Sequence, residues 1–133
     1  MLRSLREGTQ LQTTFVVGGG DTAAFGGVEV HPVCSTFAMA REAEWACRQF
    51  VLQMRENHEE GIGNGLTIEH QAPAFLGERV DVVATLTAIQ GNEVHCTWQA
   101  RSGTRLLASG TCTQKVMDKA KLYERFDRLR AGL

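Results

Sequence analysis

The segment Ser35–Glu56 (STFAMAREAEWACRQFVLQMRE) constrains the fold of this chain more than any other. At about 100° per residue, Met39, Ala40, Ala43, Ala46, Cys47, Phe50, Val51 and Met54 cover one continuous arc of about 140°. That spacing predicts a long amphipathic helix whose apolar face is wide enough for a sheet to wrap around it. Glu44 lies at the margin of the arc, beside Ala40 and Val51. A carboxylate there is either neutralised by a cation or held ready for chemistry. Arg48, four residues on, and Arg41, three back, offer the first alternative, an exposed pair contributing about 0.3–0.5 kcal/mol.

The rest of the chain supplies the sheet. Residues 9–17 (TQLQTTFVV) alternate, with Leu11, Thr13, Phe15 and Val17 on one face, and read as a strand. Gly18, Gly19 and Gly20 break it. Residues 18–34 read as loop with a short extended piece from Val28 to Val33. After the helix comes a glycine cluster, Gly61, Gly63 and Gly65. Four strands follow: Leu66–Ala72, Glu78–Ile89, Glu93–Arg101 and Arg105–Val116. Turns at Pro73–Gly77, Gly91-Asn92 and Ser102-Gly103 separate them. Asp118 can cap a short helix carrying Leu122, Phe126 and Leu129. The order predicts a single α+β domain over residues 1–133: about five antiparallel strands around one long helix, with a short C-terminal helix. A sheet with so little cover leaves an edge strand free, and pairing edges in a dimer would close it.

Composition narrows the function classes. A net charge of −1 provides no electrostatic footprint for nucleic acid or for an anionic membrane. No run approaches the roughly 18 apolar residues of a membrane span. The start, MLRSLREGTQ, has no apolar signal core, so the expectation is a cytoplasmic protein. Cys34, Cys47, Cys96 and Cys112 form no CxxC pair. They read as buried apolar residues, not zinc ligands.

Several residues together resemble a known family. Thr36 to Cys47, ending in Glu44-Trp45-Ala46-Cys47, is similar to the hot-dog-fold acyl-coenzyme A (CoA) thioesterases of the fluoroacetyl-CoA thioesterase type. The same is true of Gly63 and Gly65, of Leu66-Thr67-Ile68-Glu69-His70, of Pro73 and Gly77 before a Val-rich strand, and of Gly110-Thr111. The resemblance runs from about Gln10 to Val116. It implies hydrolysis of a small or medium acyl-CoA thioester to the free acid and CoA, with no metal and no cofactor beyond the CoA of the substrate. It also implies a homodimer, with a tetramer left open, and active sites at the subunit interface.

Residue by residue, the family's catalytic threonine, glutamate and histidine fall on Thr36, Glu44 and His70. The glycine whose N–H helps hold the thioester carbonyl falls near Gly63. Asn64, Val30, Phe25 and Phe37 are the further candidates for contacting substrate. Arg79, Arg101 and Lys115, with Lys119, are candidates for the CoA phosphates. The fluoroacetyl-specific enzyme carries lid phenylalanines before the helix. Gly27 and Val30 stand at those positions here, with Phe25 nearby, so the acyl group is left open.

The chemistry suits these residue types. Thioester hydrolysis needs an activated water or nucleophile, oxyanion stabilisation and help for the leaving thiolate. Glu44 can serve as general base, or attack the carbonyl to give a mixed anhydride. His70 can orient Glu44 or protonate the thiolate, since histidine exchanges protons near neutral pH. Thr36, at the helix start, would present its hydroxyl and nearby N–H groups to the carbonyl.

Plainer readings stand beside these. Thr36 can be simply the helix cap, and His70 a satisfied core residue on the face of Leu66, Ile68 and Ala72. His31, His58 and His95 read as surface or loop residues, and Trp45 and Trp98 as packing. Thr36 and Glu44 are eight residues apart, about 12 Å along a helix. They meet only around a substrate or across a subunit boundary. A non-catalytic dimer binding an acyl or aromatic ligand is the alternative. A hydratase is a weaker one, since its usual Asp and His five residues apart on a helix are absent.

Overall fold

The computed structural model describes all residues, 1–133. The predicted helix forms as α1 (Thr36–Met54) and buries every residue of the predicted arc except Ala40, adding Ala38. It stops two residues short of Glu56. Arg55 turns to an extended conformation and its N–H closes on the Val51 carbonyl.

The sheet around α1 has strands β1 (Gln10–Val16), β4 (Glu59–Leu66), β5 (Glu69–His70), β6 (Arg79–Gln90), β7 (Glu93–Ser102) and β8 (Arg105–Asp118). Every pairing is antiparallel, in the order β1-β6-β7-β8-β4, with β5 also on β8. Alternation sends Val80, Val82, Ala84 and Leu86 of β6, and Val94, Cys96, Trp98 and Ala100 of β7, inward onto α1. Phe50, Val51 and Met54 meet them fully buried, each contributing about 1.5–3 kcal/mol of burial free energy. All four cysteines are buried and unpaired. Burial pushes the Cys34 thiol up to about 11. The Cys47 thiol is raised further, first by hydrogen bonding to Cys112 and Cys96 and then by burial.

Two expectations are corrected, and the glycine cluster, given no element above, takes its place. Gly61, Gly63 and Gly65 lie in β4, an edge strand paired with β8. Each is crowded by a side chain: a Cβ would lie 2.6 Å from Val51 Cγ1 at Gly61, 2.5 Å from Glu44 Oε1 at Gly63 and 2.6 Å from Thr113 Oγ1 of β8 at Gly65. The strand expected over Leu66–Ala72 is broken. Leu66 ends β4, and only Glu69 and His70 form β5. Finally, residues 18–34 are mostly strand. After a 3-10 turn at Gly19–Asp21, β2 (Thr22–Phe25) and β3 (Val28–Cys34) form a separate two-stranded hairpin. Its tip is Gly26-Gly27, with φ of 59° and 79°, the left-handed pair that a tight hairpin turn requires. Alternation was invisible there because most of β3 is exposed on both faces.

The last helix, α2 (Lys119–Ala131), starts as expected, with Asp118 accepting from the Lys121 N–H at 3.0 Å. It buries only Leu122. Of the expected stripe, Phe126 is half-buried and Leu129 exposed.

Candidate active site

The hairpin delivers the chain into α1, and Asp21 fixes that entry. Its carboxylate accepts from Arg41 at 2.7 Å and its carbonyl from the Ser35 N–H at 2.8 Å. The Arg41 guanidinium holds the Asp21 carboxyl below its ordinary range. The helix cap is Ser35, not Thr36: Ser35 Oγ accepts from the Ala38 N–H at 3.1 Å. Thr36 is therefore the first helical residue with its hydroxyl free of capping. It is exposed. Its Oγ1 lies 3.2 Å from His70 Nδ1.

His70 is not a satisfied core residue. Its other ring nitrogen, Nε2, is buried and has no protein partner. With Nδ1 engaged by Thr36, either Nε2 carries the proton and is an unused donor, or it is a bare acceptor. The pair borders a cleft of about 330 Å³, whose walls include Ala23, His31, Val33 and Ala72. His31, read from sequence as a surface residue, is thus at the cleft. It is brought there by the hairpin, where it pairs with Ala23.

Glu44 lies two turns further along α1. It makes no ion pair, because both flanking arginines are engaged elsewhere. Arg48 binds Glu60 at 2.8 Å, and Arg41 binds Asp21 and Glu42. Glu60 is the true acceptor of this region. The Gly61 N–H, with Arg48 and Arg55, pulls its carboxyl down to about 2. Glu44 is exposed in the single chain, not partly buried, and its carboxylate lies against the bare Cα of Gly63. A Cβ there would be 2.5 Å from Glu44 Oε1. The structure therefore joins Thr36 of α1 with His70 of β5, and, two turns along α1, Glu44 with Gly63 of β4.

The other candidates divide. Phe25 and Phe37 meet edge to face, ring centroids 6.2 Å apart, and both are exposed. Val30 is exposed on β3. Asn64, at a bulge in β4, accepts from Thr113 Oγ1 at 2.8 Å. Arg79, Arg101 and Lys115 sit on the outer face of the sheet, away from α1. There Arg79 binds Asp81 at 3.2 Å, Arg101 donates to the Thr104 carbonyl, and Lys115 is 3.8 Å from Glu93. Lys119 opens α2. The fold does not gather these cations at the cleft. Trp98 is core, as expected, but Trp45 is 49% exposed beside Glu44.

A curled antiparallel sheet around one long helix, with polar residues grouped at the helix start and edge strand, is the hot-dog fold in its thioesterase form. The profile of the fluoroacetyl-CoA-specific thioesterases matches residues 17–120, and the chain belongs to that family. A Thermus thermophilus protein described as a thioesterase superfamily member is 34% identical, with TM-score 0.93 over 98% of this chain and 96% of that one. A mutant of the fluoroacetyl-CoA-specific thioesterase FlK, in complex with fluoroacetate and CoA, is 26% identical, with TM-score 0.82 over 89% of this chain and 99% of that one. A hot-dog-like protein from Thermanaerovibrio acidaminovorans shares the fold at 21% identity, with TM-score 0.84 over 92% and 90% of the two chains. The sequence matches no curated protein. The chain is a thioester hydrolase by class, which sets aside the non-catalytic reading. No helix is long and apolar enough to cross a membrane.

Proposed function

We propose that this chain hydrolyses a small or medium acyl-CoA thioester, with Thr36, His70 and Glu44 as the working groups. The observation that carries the reading is the 3.2 Å contact between Thr36 Oγ1 and His70 Nδ1. It sets the imidazole at the start of α1, where developing negative charge is favoured. Glu44, free of every arginine around it, activates water or attacks the carbonyl itself. Gly63 offers its N–H to the carbonyl oxygen. His70, through Nε2, protonates the departing thiolate. Phe25 and Phe37 supply an apolar wall for the acyl group. FlK, solved with fluoroacetate and CoA, supports a CoA ester as the substrate type. The absence of phenylalanine at Gly27 and Val30 argues against a lid of that enzyme's kind.

The working unit in this reading is a homodimer. β4 is an edge strand of the main sheet, and Phe37 and Trp45 present exposed aromatic surface on the same helix as Glu44. A second subunit against this face would bury Glu44 and complete the site. Four unpaired thiols fit a reducing cytoplasm.

Thiol release from a panel of acyl-CoA esters tests the reading. Glu44→Gln should lower kcat by about 10²–10⁴-fold on the best substrate, the range for a positioned acid–base group. Full turnover by Glu44→Gln would overturn it.

A further inference from the structure

His70 sits on a strand two residues long, paired with β8 at Ala108 and followed by N–H bonds from Gln71 and Ala72 to the Leu107 carbonyl. Its upstream side is fixed three residues earlier, where the chain passes from β4 to β5 across β8. Thr67 is held there through its backbone and its side chain. Its N–H donates to the Thr111 carbonyl at 2.9 Å, and its Oγ1 accepts from the Thr111 N–H at 2.9 Å. The two hydroxyls are 2.7 Å apart. One residue of β8 therefore gives its carbonyl, its N–H and its hydroxyl to a single residue of the crossing segment.

Gly110 completes the seat. A Cβ at this position would overlap the Thr67 carbonyl oxygen outright, and would lie 2.7 Å from the carbonyl carbon and 3.1 Å from Trp98 Cε2. Trp98, 1% exposed and paired across the ladder with Gly110, cannot retreat. Only glycine lets the Thr67 peptide lie this close to β8.

We propose that Thr67, Gly110 and Thr111 form a clamp that positions His70 against Thr36. The proposal rests on the reading of His70 given above. Three extended residues span about 10 Å, so the set of the backbone at Thr67 carries directly into β5. The ring has one hydrogen bond, at 3.2 Å, and its buried Nε2 has none. A shift of half an ångström or so at β5 takes Nδ1 beyond hydrogen-bond reach of Thr36. Thr67 and Thr111 touch no substrate. They act through His70.

Thr67→Val removes the hydroxyl and keeps the shape, and Thr67→Ser keeps the hydroxyl. In folded protein, Thr67→Val should lower kcat about tenfold, the scale on which small misplacements act, with KM within about twofold. It should also move the His70 imidazole NMR resonances, and Thr67→Ser should restore both. In a His70→Gln background, Thr67→Val should cost nothing further. Gly110→Ala should act in the same direction more strongly; if it does not fold, Thr67→Val carries the test alone. A Thr67→Val protein with wild-type kcat and unmoved His70 resonances overturns the clamp, even if its melting temperature falls. Wild-type turnover by His70→Gln overturns instead the catalytic reading of His70. The clamp is then judged by the resonances alone, and unmoved resonances overturn it.

Discussion

Glu44 and its arginines show how a short-range rule is overruled by tertiary contacts. Spacing on the helix offered Arg48 as its partner, but Glu60 on the adjoining edge strand captures both Arg48 and Arg55. The Gly61 N–H adds a third contact that no side chain of α1 can match. Glu44 is left unneutralised beside a glycine. Gly63→Ala should therefore press on the carboxylate through the 2.5 Å approach of its Cβ, lowering kcat by about tenfold or more while circular dichroism stays native. Thr36 and Ser35 show a different limit. Adjacent hydroxyl residues are equally able to cap, and only the turn of the chain after β3 decides that Ser35 does so. His70 was legible as a candidate, but its orphaned Nε2 was not, because burial of one ring nitrogen depends on everything packed around it.

Among the elements, α1 was legible almost to its ends because a 3.6-residue period survives burial. β4 was not. Its glycines carry no alternation, and what crowds them, Val51 and Glu44 of α1 and Thr113 of β8, comes from distant parts of the chain. The β2–β3 hairpin was missed for the opposite reason. It packs against too little of the core to show alternation. In the proposed reading it serves the acyl group through Phe25, whose ring meets Phe37 of α1. Phe25→Ala should leave turnover of the shortest acyl ester close to wild type and weaken longer ones by about 1–3 kcal/mol in kcat/KM, as expected for lost apolar contact. Equal losses on short and long esters would show that the ring does not contact the acyl group. The cap of α2 offers a stability check: Asp118→Ala should cost about 0.5–2 kcal/mol by denaturant titration, with kcat unaffected.

Across the whole molecule, stability and site geometry share one core. Phe50 lies fully buried between α1 and the sheet, and Phe50→Ala should cost about 3–5 kcal/mol in urea unfolding. Acid should act on the margins. Glu60 and Glu78 are both held at about 2, Glu60 first by the Gly61 N–H, and Glu78 first by Ser102 and then by the Phe75 N–H and Arg105. A carboxyl depressed in the folded state stabilises above its unfolded value, and that contribution fades as pH falls toward the folded one. Stability should therefore decline between about pH 4.5 and 2. Glu60→Gln should flatten that decline when unfolding is followed by circular dichroism at stepped pH. An unchanged slope would mean that Glu60 is not coupled to folding. The α+β arrangement itself was open to sequence reading, since strand count, turn spacing and one wide helix leave few other layouts. The closing of the cleft was not, because it depends on contacts between segments dozens of residues apart.

The hairpin has a consequence for how such a protein can change over generations. It shares no ladder with the main sheet, and is tied to the rest of the molecule by the Val33–Phe75 bridge, the Cys34 N–H to the Ala74 carbonyl, the Phe25–Phe37 ring contact and the Asp21 anchor to Ser35 and Arg41. Replacements at its tip leave the register of every core strand as it was. If the hairpin selects the acyl group as proposed, lineages can explore new ones by altering a dozen peripheral residues, leaving Thr36, Glu44 and His70 as they are.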